Sequence, residues 1–492
     1  MTALTVPAVL AEQAARRGDH PLLVCDDDRL TYADAESRSA ELAEGLLALG
    51  AGTRTHVGLL YPNGPDFVVA WLAVARIGAV TVPVSTFSTN NELRTLLHNA
   101  DIEVLLATPS YRGRDYVADV PRPDVSLPCL RHVVFDIDAL CRLRRPGNGQ
   151  GDKEPEVRPS DRLVIVHTSG STSQPKGVIH QHGPLISHLR NLNELRRYTE
   201  DDVLFSNSPF FWIGGFAYSL LGTLLTGATL VCSNATDSAE TLDLLEQTRP
   251  TMVNGFAASV AHLAKDPSFP GRDLSSIRRG NLWPIMPADV RPVDPELRHN
   301  MLGMTEAGSV CLASDDETDQ PEHRRGSFGK PVPGFEAKLV DGELWLRSPY
   351  LMEGYYGRER HETFTPDGWY RTGDLFRTDD DGFFYFLGRA GDMIKTAGAN
   401  VSPREVEAAI ADATGLVAHV LGIDDAERDQ VVAAAVRVPR GEAAPDTDDL
   451  TASLRTRLSA YKVPRRYLFL SDDEVPMMSS GKLDSRALKE LF

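Results

Sequence analysis

From Leu30 onward, short apolar runs of strand length alternate with longer amphipathic stretches, the pattern that builds βαβ units into a sheet covered by helices. The clearest succession is VGLLY from Val57, DFVVAWLAVARIGA from Asp66, TVPV from Thr81, a helix over Asn90 to Asn99, and IEVLLAT from Ile102. An α/β fold follows. At ~150 residues per domain, the 492 residues leave room for about three such bodies, and no internal repeat subdivides them.

Two changes in composition mark the organisation. RRPGNGQGDKEPEVRPSD, Arg144 to Asp161, has almost nothing to bury and reads as a surface loop before the strand RLVIVH. After GFFYFLGRAGD, Gly382 to Asp392, strand-like aromatics give way to glycine and then to the helix-like SPREVEAAIADA. The major boundary is placed near Gly391. This predicts a large α/β N-terminal domain built from subdomains over 1–390 and a small α+β domain over 391–492.

Charge and cysteine usage narrow the partners. With 51 Lys+Arg against 69 Asp+Glu, the net charge of -18 repels a nucleic-acid backbone, while a small anion can still bind through a few placed residues. Cys25, Cys129, Cys141, Cys232 and Cys311 are widely spaced and form no C-x-x-C pair, which indicates free thiols and a cytoplasmic setting. The N-terminus reads as an amphipathic helix. Val203 to Thr236 carries no Asp, Glu, Lys or Arg, but its Pro and Gly content favours buried helix and strand over an integral membrane segment.

The strongest chemical signal is RLVIVHTSGSTSQPKGVIH, Arg162 to His180. Thr168, Ser169, Gly170, Ser171 and Thr172 offer hydroxyls and converging backbone N–H groups, and Lys176 adds positive charge, so the loop suits a phosphate. Pro175 stands where a Walker A loop needs Gly. A Ser/Thr/Gly-rich surface turn has the same composition, so the loop alone leaves both readings open.

Further islands follow in order. Leu302 to Glu306 places a hydroxyl, Thr305, beside a carboxylate, Glu306, which suits Mg²⁺ bridging phosphate oxygens or simply a capped helix start. WYRTGDL puts Asp374 in a glycine turn, where a carboxylate can accept two ribose hydroxyls or merely shape the turn. GRAGDMIKTAGANVSPREVE and PMMSSGKLDSRAL complete the set, with Lys482 on a terminal glycine turn.

The ordered set resembles the superfamily of adenylate-forming enzymes: acyl-CoA synthetases, peptide-synthetase adenylation domains and beetle luciferase. The likeness runs over nearly the whole chain. It implies that Thr168 to Lys176 close over the ATP phosphates, that Thr305 and Glu306 contact the α-phosphate and Mg²⁺, and that Asp374 and Arg389 hold the ribose. By the same resemblance, Lys482 is the mobile lysine of adenylation and Gly398 borders the pantetheine tunnel, the small domain rotating between the two half-reactions.

Five departures from the family pattern stand out. Ser173 replaces a loop glycine, Leu302 an aromatic that stacks on adenine, and Gly280 to Pro284 lacks the usual adenine wall. Gly391 occupies the hinge position of a common Asp or Lys, and Trp212 that of a His or an amino-group-binding Asp. With no acid from Val203 to Thr236, an amino acid substrate is disfavoured, whereas Phe210, Phe211, Trp212, Ile213, Phe216 and Tyr218 predict an apolar wall. The resemblance and these residues together imply an ATP-dependent acyl-CoA synthetase for an apolar carboxylic acid, fatty or ring-bearing, using ATP, Mg²⁺ and coenzyme A. An acid–AMP ligase loading carrier-protein phosphopantetheine and a silent nucleotide-binding homologue are the alternatives. A homodimer is allowed by the residues and not required.

Overall fold

Alternating apolar runs become strands of two sheets in the computed structural model, which describes residues 3–143, 155–168, 176–391, 393–396, 399–425, 429–458, 462–478 and 482–492. Contacts divide the chain into two compact units, Met1–Glu336 with Arg347–Gly368, and Ala337–Leu346 with Trp369–Phe492. The boundary expected near Gly391 falls inside the second unit. The reason is local: the strand that carries Asp374, Tyr370–Thr378, pairs with Glu343–Arg347, so a four-stranded sheet is grouped with the C-terminal residues.

The first unit holds a six-stranded and a seven-stranded sheet. The six-stranded sheet runs in the order Arg279–Gly280, Met252–Val253, Val203–Phe205, Thr229–Cys232, Pro21–Cys25, Asp28–Thr31. In the seven-stranded sheet, parallel strands through His56–Leu60 and Val80–Pro83 give way at one side to an antiparallel edge. That edge is Arg162–Thr168, Lys176–Gln181 and Gly354–Tyr355. The helix Pro65–Arg76 contacts strands of both sheets, and every residue from Phe67 to Arg76 is buried. Its apolar run therefore lacks a polar face. Arg76 is tolerated there because Ser39 and the Glu36 carboxylate accept its N–H groups.

Helix starts follow sequence chemistry. Thr31 with Asp34, and Thr89 with Glu92, form reciprocal capping boxes for Tyr32–Ala48 and Asn90–Asn99. The N-terminal helix is Val6–Arg17. No helix among the described residues is long and apolar enough to cross a membrane, and the five cysteines are free.

The uncharged segment after Val203 divides by face. Phe210 and Phe216 are fully buried, packing edge-on or tilted against Phe67 and Trp71 at 5.4 and 5.2 Å. Phe211 and Trp212 instead form an aromatic chain with the exposed Phe87 and Phe256. Gly214–Leu221 is a π-helix, a form that recurs at functional sites, and it presents Tyr218 to a cavity described below.

In the second unit, the four-stranded sheet Glu336–Val340, Glu343–Arg347, Tyr370–Thr378, Phe384–Arg389 precedes a sheet centred on Asp429–Arg437. Helices Pro403–Thr414 and Thr447–Arg455 cover that sheet with Val406, Ile410, Leu450 and Leu454.

Candidate active site

The hairpin carrying the predicted phosphate loop is anchored at both ends, because Thr168 and Lys176 are register partners on adjoining antiparallel strands. Ser169, Gly170, Ser171 and Thr172 lie outside the described residues, as do Ser173, Pro175, Asp392 and Gly398. The next strand, Gly354–Tyr355, pairs with the same hairpin, Tyr355 opposite Val178. Arg162 grips both oxygens of Glu353 and holds this edge in register.

Tyr355 is the residue that sequence reasoning missed. Its hydroxyl donates to Glu306 Oε1 at 2.8 Å, while Lys176 Nζ lies 5.2 Å from its ring centroid. The ring is buried, and the Met352 N–H donates to the Glu306 carbonyl at 2.9 Å. Lys176 and Glu306, far apart in sequence, thus meet through one aromatic side chain. The only sequence signal was the GYY run, which by itself reads as ordinary strand.

Thr305 and Glu306 occupy a 3₁₀ turn, Thr305–Ala307, whose N-cap is Met304 with no side-chain cap. The capped helix start is therefore excluded. The turn is held from behind by His180, whose Nε2 is 2.7 Å from the Thr305 carbonyl. That carbonyl only accepts, so Nε2 carries the proton. Burial drives the His180 pKa down to about 4, keeping the ring neutral. Gly308 closes the turn at φ 72, and a Cβ there would lie 2.7 Å from Leu185 Cδ1.

The first unit also holds a cavity of about 330 Å³, bounded by Tyr218, Met252, Gly280, Trp283, Met301 and Val310. Met301 and Val310 belong to the hairpin that carries the Thr305–Glu306 turn, and no residue of the turn itself lines the cavity. Gly280 has φ 130, and a Cβ would strike the Val253 carbonyl at 1.9 Å. Asn281 is tied to Gly255 by reciprocal hydrogen bonds of 3.0 Å. Four arginines and four carboxylates also line the cavity. Of the uncharged segment, Tyr218 is the residue that lines this cavity, and neighbouring elements supply its polar groups, while Phe211 and Trp212 form their aromatic cluster with Phe87 and Phe256.

In the second unit, Asp374 and Arg389 are cross-strand partners joined at 2.8 Å between Nε and Oδ1. The Asp374 side chain is only 6% exposed and that of Arg389 is 54% exposed. Asp374 lies within the strand Tyr370–Thr378 next to a bulge, not in a free turn as expected. Gly373, at φ 73, donates its N–H to Glu343 and lies where the pairing of this strand with Glu343–Arg347 skips between Arg371 and Leu375. Lys482 is exposed, and its carbonyl accepts the Met478 N–H at 2.7 Å, closing the loop before the bridge between Met477 and Leu483.

The family model described as AMP-binding enzyme matches residues 10–356, and the AMP-binding enzyme C-terminal domain matches 405–482. The chain belongs to the family of AMP-binding, adenylate-forming enzymes. It is 31% identical over 513 aligned residues, covering 99% of both chains, to the 3-[(3aS,4S,7aS)-7a-methyl-1,5-dioxo-octahydro-1H-inden-4-yl]propanoyl:CoA ligase of Mycobacterium tuberculosis. It is 33% identical over 491 residues, 94% of each chain, to a feruloyl-CoA synthase of Amycolatopsis sp.. Its fold is similar to the crystal structure of the anthranilate CoA ligase AuaEII with anthranoyl-AMP, at a TM-score of 0.83, 23% identity and coverage of 99% and 97%. Within the family the protein is an AMP-forming acid–thiol ligase, an acyl-CoA synthetase working through an acyl-adenylate, a class that uses ATP, Mg²⁺ and coenzyme A.

Proposed function

We propose that the acid activated by this chain is ring-bearing and that its acyl group lies in the cavity bounded by Tyr218, Trp283, Met301 and Val310. The observation that carries this reading is that the hairpin bearing Glu306, which Tyr355 ties to Lys176, also supplies Met301 and Val310 to a space of about 330 Å³. A space of that size is at the small end of ligand pockets, suited to a ring system more than to a long chain. The relatives named for feruloyl and indanyl-propanoyl groups support the same class.

A carboxylate is a poor acyl donor. One of its oxygens attacks the α-phosphorus of ATP, the bond to pyrophosphate breaks, and an acyl-adenylate forms; the CoA thiolate then attacks the acyl carbon and AMP leaves. In the first step Thr168, the loop residues Ser169 to Thr172 and Lys176 cradle the phosphates, while the Thr305 hydroxyl donates to the α-phosphate. Tyr355 holds one oxygen of Glu306 and orients the other.

Among the described residues no cluster of three or more His, Cys, Asp and Glu forms a metal cage. A lone carboxylate beside phosphate oxygens fits Mg²⁺, which keeps waters and substrate oxygens in its shell. When bound there, the ion neutralises charge on the leaving pyrophosphate. Asp374 and Arg389 hold the ribose, Lys482 bridges carboxylate and α-phosphate during adenylation, and Gly398 borders the pantetheine path. The working boundary lies at Gly391, with ATP and acid bound by 1–390 and Lys482 carried by 391–492.

A panel of ring-bearing and straight-chain acids, read by pyrophosphate release with and without CoA, tests this. Ring-bearing acids are expected to release pyrophosphate and consume CoA thiol. A preference for long straight chains overturns the substrate class, and adenylate formation without CoA turnover overturns the acceptor.

A further inference from the structure

The carboxylate assigned above to the ribose, Asp374, sits in a stretch of strand that its neighbour does not hold by the usual ladder. Glu343 pairs with Leu375 and Trp345 with Arg371, so Thr372, Gly373 and Asp374 stand opposite Leu344 alone. Extra residues on one strand bend it and leave backbone groups without ladder partners. Side chains take over that task. The Thr372 hydroxyl donates to the Leu344 carbonyl at 2.7 Å and accepts from the Asp374 N–H at 3.0 Å. The Gly373 N–H donates to Glu343 Oε1 at 2.8 Å, and the Gly373 carbonyl accepts from the Ala390 N–H at 2.8 Å. The peptide units on both sides of Gly373 are therefore pinned, with its backbone at φ 73 in the left-handed region.

Glu343 is itself held. Its second oxygen, Oε2, accepts from the Trp345 indole Nε1–H at 3.0 Å. The indole ring carries two cations, with Lys338 Nζ 5.1 Å and Arg371 Cζ 4.8 Å from its centroid. An ionised carboxylate is acceptor-only and has one oxygen for each of the two donors, whereas an amide has a single oxygen. With both oxygens engaged, the Glu343 carboxylate is kept from rotating away from Gly373. On the other side of the same strand pair, Arg389 Nε donates to Asp374 Oδ1 at 2.8 Å. Arg389 thus bonds to the Asp374 side chain, and Glu343 to the main chain from which that side chain projects.

We infer that Glu343 is a positioning residue for ATP recognition, setting the Asp374 carboxylate at the ribose hydroxyls through the Gly373 N–H and itself set by the Trp345 indole. The inference rests on the ribose assignment of Asp374 and Arg389 made above. It deepens that assignment by adding a residue 30 positions from Gly373, on another strand.

The test compares ATP with 2′,3′-dideoxy-ATP on the full chain, read by pyrophosphate release with an acid from the panel above. The wild type is expected to favour ATP in kcat/KM by about 10-fold or more, because a site built to hydrogen-bond hydroxyls rejects the analogue without them. Glu343→Ala should bring that ratio close to one. A merely structural loss lowers turnover with both nucleotides alike and leaves the ratio where it was. Glu343→Gln offers one oxygen to two donors and should lower the ratio by about 3-fold or more; Trp345→Phe added to it removes one donor and should restore most of the ratio. An unchanged ratio in Glu343→Ala, with the ratio collapsed in Asp374→Ala, overturns the role of Glu343 and leaves the ribose assignment standing. A ratio that survives Asp374→Ala, or that is near one in wild type, overturns the ribose assignment and this inference with it. If Glu343→Ala does not fold, as judged by thermal unfolding, Glu343→Gln with and without Trp345→Phe decides, and no loss in the first or no recovery in the second overturns the role of Glu343. Absence of pyrophosphate release from wild type across the whole panel defeats both the proposed function and this inference.

Discussion

Tyr355 does for Glu306 what no neighbour in sequence could, since its hydroxyl reaches Oε1 at 2.8 Å while its ring lies against Lys176. Tyr355→Phe removes that hydrogen bond and keeps the ring. A hydrogen bond to a charged group contributes about 1.5–3 kcal/mol, so kcat for pyrophosphate release should fall about 10-fold or more. An unchanged kcat would take Tyr355 out of the site. Lys482→Ala separates the half-reactions: adenylation should fall by about 100-fold or more, as when a preorganised charge is lost, while thioester formation from supplied acyl-adenylate persists. Equal loss in both steps would refute that division. Glu306, Lys176, Asp374 and Lys482 were legible as residue types with suitable chemistry. Tyr355 was not, because a tyrosine in a strand acquires its role only from what packs against it.

At the scale of elements, the turn Thr305–Ala307 depends on two features behind it, the His180 bond to the Thr305 carbonyl and the left-handed Gly308. Gly308→Ala introduces a Cβ at 2.7 Å from Leu185 Cδ1 and 3.2 Å from the His180 ring, at φ 72. It should cost about 1–3 kcal/mol in urea unfolding and raise KM for ATP as the turn shifts. Unaltered stability and KM would show that the turn tolerates a side chain. Most element types were readable from periodicity, including the helix at Asn90–Asn99 and the strand at Arg162–Thr168. The π-helix at Gly214–Leu221 was not, because an apolar run without charge carries no period that separates helix forms. Asp374 was expected in a turn and sits in a bulged strand, since Glu343 from another strand captures the Gly373 N–H.

Across the whole first unit, His180, His182 and His188 are buried and His167 is half-buried, and desolvation lowers their pKa values from 6.5 to about 4, 4, 3 and 4. The unfolded chain binds these protons first. Stability is therefore full above pH 6.5 and is lost as pH falls from there through 4, each histidine contributing up to about 1.4 kcal/mol per pH unit. Urea midpoints measured from about pH 7 to about pH 5 should decline, less steeply in His180→Gln; a flat profile would contradict the buried neutral state. By itself, the sequence determined the α/β class, the order of chemical islands and the family, because strand and helix periodicity and short motifs are local properties of the chain. Only the tertiary structure decided that the second unit takes in Ala337–Leu346, that Tyr355 joins Lys176 to Glu306, and that the cavity is half polar. Those outcomes depend on strand pairing and side-chain contact between residues distant along the chain, and a linear pattern does not encode which of several compatible partners the folded chain selects.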